Sequence, residues 1–327
     1  MVQVNKDMNH NYDVFNGDAD GICALHQLRL SDPEPTAELI TGVKRDINLL
    51  TRIENVTNSR ITVLDISMDT NREALVGVLE NGNEVRYIDH HYAGEIPDSP
   101  LLTAHIDVSP ERCTSLIVDQ LLWGKYRLWA ICGAYGDNLH AVAASMAEQE
   151  HLDQQQSAQL CEIGELLNYN GYGARLRDLY FAPDQLYLDV QTFENPFDYY
   201  HGSDCLKTLQ LGFKSDMDLA LSQPEFATRG RNRVFRFPDN PWARRVSGVF
   251  ANLKARENPD GAHALITENN DDTLRISVRA PVNNRRDADT LCRSFPTGGG
   301  RAGAAGINAL PAEKLTHFLN EFEKTYS

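Results

Sequence analysis

Short apolar runs alternate with longer stretches of helical periodicity through the first third of the chain. Residues 12–15 form an apolar run that ends at Asn16-Gly17-Asp18-Ala19-Asp20-Gly21. Beyond it Ile22, Leu25 and Leu28 recur at the spacing of one helix face, which predicts an amphipathic helix. Residues 37–41 and 60–64 predict two further strands, the second ending in Asp65-Ile66-Ser67. A helix is expected over 68–80, where Asn81-Gly82-Asn83 breaks it, and a strand over 84–88 that runs into Asp89-His90-His91. Residues 104–108 predict one strand more. Strands alternating with helices imply a doubly wound, mainly parallel α/β sheet.

From there the chain changes character. Apolar helices are expected over 113–123, 128–135 and 139–148, with Gly136-Asp137-Asn138 interrupting the last two, and over 152–167. The stretch Asn168-Tyr169-Asn170-Gly171-Tyr172-Gly173-Ala174-Arg175 reads as a glycine-rich turn, residues 193–202 as irregular, Asp204–Leu221 as helical and 222–233 as polar. A domain boundary is expected near Pro224, giving 1–222 and 223–327. The second domain predicts a helix (242–254), two strands joined across 269–272, a helix (285–295), a glycine run (298–306), a short strand and a final helix (311–326), a smaller α/β unit. No internal repeat is visible.

Composition narrows the function. The chain has 327 residues, 42% hydrophobic and 24% charged, with a net charge of −15. Two ordinary globular domains fit that length. The negative charge disfavours a broad grip on duplex DNA, which needs a dense basic field, but leaves small anionic substrates open. The six cysteines show no CxxC pairing and read as reduced thiols of a cytoplasmic protein. The N-terminus is polar and no apolar run reaches membrane-spanning length, so no membrane association is expected.

Three expected strands of the first domain end in acidic or imidazole side chains: Asp18 and Asp20, Asp65, and Asp89-His90-His91. In parallel sheets those ends face one edge, where ligands bind. One Asp at a helix start is usually a cap. Two at i, i+2, with Asn16 just before them, look more like oxygen ligands for a divalent cation. Asp137 reads equally as a cap of the helix that follows it or as another carboxylate of this group. Tyr169 and Arg175 suit either a turn or a wall for base and phosphate. Glycines 298, 299 and 300 let a backbone approach a ligand, and Arg279 and Arg301 suit bidentate phosphate contact or simple ion pairing.

Taken together, the Asp18-x-Asp20 turn, Asp65, Asp89-His90-His91, Asp137 and the Gly298–Gly300…Ala304-Ala305-Gly306 element resemble the DHH–DHHA1 phosphoesterase superfamily over nearly the whole chain. The resemblance implies a catalytic domain and a substrate-binding domain with the active site in the cleft between them, and two Mn²⁺ ions, or Mg²⁺. It implies that Asp18 holds the first ion, Asp20, His90 and Asp137 the second, and that Asp65 bridges them. Asp89 and His91 would stand behind the ligands or against the scissile phosphate. Two departures stand out. Asn16 is neutral where many members carry His or Asp, and Arg301 follows the glycines where many small members carry His.

The leading expectation is hydrolysis of very short RNA, linear 5′-phosphorylated diribonucleotides such as pGpG. A general oligoribonuclease with 3′-phosphoadenosine-phosphate phosphatase activity, a cyclic-dinucleotide phosphodiesterase and a non-catalytic nucleotide-binding protein are the alternatives, the last permitted by Asn16. Monomer and homodimer are both compatible with the sequence.

Overall fold

The computed structural model describes residues 10–269 and 271–327. The polar N-terminal expectation falls largely on residues 1–9, and one residue of the expected 269–272 connection is Asn270; both lie outside the described residues. The chain divides into two compact units, Met1–Leu211 and Gly212–Ser327. The division falls inside the helix Asp204–Leu221, whose C-terminal end adjoins the boundary expected at 222/223.

The first unit contains β1 (Asn11–Phe15), α1 (Ala19–Ser31), β2 (Glu38–Ile40), β3 (Arg60–Leu64), α2 (Arg72–Glu80), β4 (Glu84–Asp89) and β5 (Leu102–Ile106). The helices α3 (Thr114–Leu121), α4 (Arg127–Gly136), α5 (His140–Gln149), α6 (Gln154–Gly171), α7 (Pro183–Val190) and α8 (Pro196–Gly202) follow, and α9 (Asp204–Leu221) runs across the division. All five strands are parallel, in the order 2-1-3-4-5. Val14, Ile61, Val63, Val85 and Tyr87 pack with Leu75, Val78 and Leu79 of α2 on one face. On the other face α1 is enclosed by α3, α4 and α6. It is therefore not the amphipathic surface helix expected from Ile22, Leu25 and Leu28: every residue from Ala19 to Leu28 is buried. Its buried polar side chains find partners inside, His26 at the Phe193 carbonyl and Gln27 Nε2 donating to the carbonyls of Cys23 and Ser115, while Gln27 Oε1 has none.

Three further expectations are corrected. The stretch from Asn168 to Gly171 is the last turn of α6, held by buried Tyr169 and by Asn170, whose side chain ties down Tyr180 and Phe181. Residues 193–202 contain α8, with Pro196 at its first turn and the Asn195 side chain capping Phe197 N–H. Asp137 does not cap α5; it closes the C-terminus of α4, and its carboxylate is turned elsewhere.

The second unit contains β6 (Glu225–Arg229), β7 (Asn232–Phe237), α10 (Pro241–Glu257), β8 (His263–Glu268), β9 (Thr273–Arg279), α11 (Ala288–Arg293), β10 (Gly298–Arg301), β11 (Ala304–Pro311) and α12 (Leu315–Thr325). Its sheet runs 10-11-9-8-7-6, antiparallel except where α10 carries the chain from β7 to parallel β8. Ile276, Val278, Ile307 and Leu310 bury one face against Leu291, Phe318 and Phe322. Phe235, Phe237, Trp242 and Phe250 pack under α10 on the other. The stretch read as polar, 222–233, thus supplies β6 and the start of β7, and the glycine run is a strand and not a loop.

Candidate metal centre

The strand order reverses between β1 and β3, the point at which open parallel sheets bind ligands beyond their carboxyl ends. The end of the loop after β1 carries Asp18, and the first turn of α1 carries Asp20. Gly21 is required there, because a Cβ would stand 2.2 Å from the Asn16 carbonyl oxygen. Asp18 caps α1, its Oδ1 accepting from Asp20 N–H at 3.0 Å and Gly21 N–H at 3.1 Å. Asp20 serves another helix. Its two carboxylate oxygens accept the Thr114 and Ser115 N–H groups at 2.7 Å each, so it caps α3, which has no cap of its own at Cys113.

Asp65, at the end of β3, has φ 59°, the left-handed region that Asp tolerates better than most residues. Thr114 Oγ1 donates to its Oδ1 at 3.0 Å. His90 follows β4. Its Nδ1 lies 3.0 Å from the Arg112 carbonyl, which can only accept, so Nδ1 carries the proton and Nε2 presents its lone pair. That lone pair is 3.4 Å from Asp65, 3.8 Å from Asp137 and 4.0 Å from Asp20. An acceptor aimed at three acceptors is repulsive unless a proton or cation lies among them. The electrostatics agree. Burial and the charges of Asp20, Asp18, Asp137 and Asp89 push the Asp65 carboxyl well above the usual range, and burial with Asp20 raises Asp137 to about 6. Carboxylate oxygens with one imidazole fit a hard divalent ion such as Mn²⁺ or Mg²⁺.

His91 is half-exposed beside His90 and Asp65. Its Nδ1 donates to fully buried Asp89 at 2.7 Å, which leaves Nε2 as its free ring nitrogen. Burial works against its protonation, but the Asp89 hydrogen bond and charge prevail and the pKa stands raised. Asp89 Oδ2 is buried without a partner, as is Asn16 Oδ1. Asn16 Nδ2 donates to the Lys44 carbonyl at 3.3 Å. Lys44, Asn168 and Thr114 join the site without having been foreseen. Lys44 Nζ meets Asp18 Oδ2 at 2.6 Å and Asn168 at 2.9 Å. A lone lysine after a weak three-residue strand carries no motif.

Two remaining expected residues of the first unit stand apart from this group. Tyr169 is 1% exposed, on the inner face of α6, and cannot offer a ring face to a base. Arg175 is exposed on the following loop. In the second unit, Arg301 and Arg279 lie either side of Ala304 in one register row and so share a face of the sheet. Arg279 is held by Asn252 and Ser277; Arg301 is exposed. The three glycines divide. A Cβ on Gly298 would strike the Cys292 carbonyl at 1.8 Å, and Gly300 has φ +138°, so packing and backbone require both. Gly299 opens onto free space on the arginine face.

No protein-family model and no curated protein matches the chain. Solved structures do. Thermus thermophilus RecJ with Mn²⁺ matches over 98% of this chain and 52% of its own, at TM-score 0.61 and 16% identity. The chain thus spans about half the length of that nuclease. A manganese-bound exonuclease RecJ matches over 98% and 91% at TM-score 0.59 and 17% identity. A pGpG-specific phosphodiesterase, PggH of Vibrio cholerae, matches over 97% and 99% at TM-score 0.57 and 12% identity. The fold is therefore the one these solved structures share: a parallel five-stranded α/β unit followed by a second unit with its own sheet. No helix among the described residues is long and apolar enough to cross a membrane.

Proposed function

We propose that this chain is a divalent-metal-dependent phosphodiesterase of the DHH class that cleaves very short RNA, foremost linear 5′-phosphorylated diribonucleotides such as pGpG, to mononucleotides. The observation that carries the proposal is the His90 ring, locked by the Arg112 carbonyl so that its Nε2 lone pair faces Asp20, Asp65 and Asp137. A purely structural histidine does not need that tautomer in that company.

Asp20, Asp65, His90 and Asp137 would hold the ion. Bound there, it supplies Lewis acidity toward water and phosphoryl oxygens. The chain's own groups do the rest. The α3 N-terminus and Thr114 hold Asp20 and Asp65 in place. His91, oriented by Asp89 and raised in pKa, can give a hydrogen bond or proton to a phosphoryl or leaving oxygen from Nε2. The exposed face of the second sheet, with Arg279, Arg301 and open Gly299, suits a terminal phosphate. The net charge of −15 disfavours long strands, whose binding rests on extended backbone contact. A substrate panel with Mn²⁺ tests the reading: pGpG and related dinucleotides, cyclic dinucleotides, 3′-phosphoadenosine phosphate and longer RNA. Turnover of the linear dinucleotides should lead, and absence of turnover for every phosphodiester in the panel refutes the proposal.

A further inference from the structure

We infer that the Lys44 ammonium is the resident cation on the Asp18 side of this centre, so that the chain binds one divalent ion, through His90 and its carboxylates, where the sequence led us to expect two. The inference rests on the reading of the centre as a metal site.

Both oxygens of Asp18 already have partners within the chain, and its carboxyl also interacts with that of Asp65. Oδ1 accepts two backbone N–H groups as the cap of α1, and Oδ2 is paired with Lys44 Nζ at 2.6 Å. Lys44 is not a surface side chain that has drifted inward. Its N–H donates to the Gly171 carbonyl at 3.0 Å, its carbonyl accepts from Asn16 Nδ2, and its ammonium also donates to Asn168 Oδ1. The Tyr172 ring lies 5.4 Å from the ammonium. Backbone and side chain are thus anchored to the β1 loop and to both the last turn of α6 and the residue that follows it. Ligand atoms that lie close enough to share an ion fall into two groups at this centre, Asp65–His90–His91 and Asp20–His90–Asp137. Both contain His90, and neither contains Asp18.

Asn16 fits this arrangement. Its amide N–H holds the lysine's own carbonyl, a contact that an aspartate, which only accepts, could not make. The neutral residue therefore goes with the lysine: one cation is replaced by a covalently tethered positive charge, and the side chain before Asp18 serves the tether. A lysine ammonium is a compact point charge suited to a phosphoryl oxygen, so it can face the substrate from the side opposite the ion.

The test counts manganese on the full-length protein. Chelator-treated protein is titrated with Mn²⁺, bound metal is measured by equilibrium dialysis, and spin coupling by electron paramagnetic resonance. Wild type should bind one ion with the signal of an isolated Mn²⁺. Lys44→Arg should do the same. Lys44→Met, which frees Asp18, should bind two, coupled as ions roughly 3.5–4 Å apart are. Asp18→Asn, which keeps a good helix cap, should hold its single ion within about threefold of the wild-type Kd, since a residue outside the ion's shell contributes little to its affinity. A coupled pair in wild type overturns the inference, as does a folded Lys44→Met that stays at one ion. So does an Asp18→Asn that binds the ion about tenfold or more weakly, as loss of a charged ligand predicts. If Lys44→Met does not fold, the wild-type count and Asp18→Asn decide. Assaying pGpG on the same samples separates the two ideas. One isolated ion without hydrolysis sinks the proposed reaction and leaves the lysine assignment; hydrolysis with a coupled pair does the reverse.

Discussion

Metal-free protein should be destabilised by its own buried acidic cluster, and Asp137 is the residue through which to measure it. Burial first, then the charge of Asp20, moves its carboxyl from 3.8 to about 6. Because the folded pKa is the higher one, the folded state holds the proton more tightly. The resulting stability is complete below the unfolded value and is lost as pH rises through about 6. At about 1.4 kcal/mol per pH unit, the rise corresponds to about 3 kcal/mol. The side chain is 24% exposed, so water screens part of this, and about 1–3 kcal/mol is the working range. Asp137 also ends α4, where the helix dipole disfavours an anion, which adds in the same direction.

Asp137→Asn keeps the shape and removes the charge. Without metal, at about pH 7.5, the variant should melt higher than wild type. At a few degrees per kcal/mol for a domain near this size, the gain is roughly 2–10 °C. At about pH 4 the two should coincide, because wild-type Asp137 is then protonated. Saturating Mn²⁺ should reverse the order, since an ion at 100 times its Kd adds about 2.7 kcal/mol to the protein that binds it and the variant lacks a ligand. Thermal unfolding by circular dichroism, with chelator or Mn²⁺ at both pH values, gives all four comparisons. A variant no more stable than wild type without metal at about pH 7.5, with equal stabilisation of both by Mn²⁺, refutes the reasoning.

Other expectations are narrower. Asp65→Asn should lower kcat/KM more than any other single carboxylate change, because Asp65 contacts both His90 and Thr114 and is surrounded by the remaining acids; near wild-type turnover at saturating Mn²⁺ removes Asp65 from the centre. Chelation should abolish turnover while far-ultraviolet circular dichroism stays unchanged, since both sheets are packed by apolar cores that contain no metal ligand. Arg301→Ala should weaken kcat/KM by about ten- to a hundredfold for a 5′-phosphorylated dinucleotide, the equivalent of one charge-assisted hydrogen bond, and much less for an aryl phosphodiester; equal losses on both end the phosphate-clamp idea. Tyr169→Ala should reduce stability by about 3–5 kcal/mol as a core cavity, whereas a selective rise in KM with stability intact would restore the stacking role the sequence suggested.

Much of the first unit was legible because its strands are buried. An apolar run such as Arg60–Leu64, ended by Asp65, marks a parallel strand and its functional end at once. The second unit was harder where its strands are held by backbone alone. Gly298–Arg301 pairs with Ala304–Ile307 through main-chain hydrogen bonds, with glycines that carry no strand propensity. Glu225–Arg229 is an edge strand with mostly exposed side chains, so it has no apolar face to read. In α6 the turn Asn168–Gly171 is made of weak helix formers, and only tertiary contacts, buried Tyr169 and the Asn170 side chain, keep it helical.

The centre itself shows a different limit. Asp18 and Asp20 are two residues apart, of one type, at one helix start, and spacing cannot distinguish them. Their difference lies in the partners the fold brings to each. Asp20 receives the N-terminus of a helix almost a hundred residues away in sequence and faces His90 across it. Asp18 caps its own helix and receives a lysine from the loop after β2. Residue type and spacing bring the acids and imidazoles to one sheet edge but do not distinguish the partners that each carboxylate meets there. Under the proposed reading, Asp65, Asp137 and His90 would take a cation from solution, whereas Asp18 is paired with one that the chain itself supplies. Asn16, which as a sequence feature looked like a neutral, weaker ligand, donates its side-chain N–H to the Lys44 carbonyl in the structure.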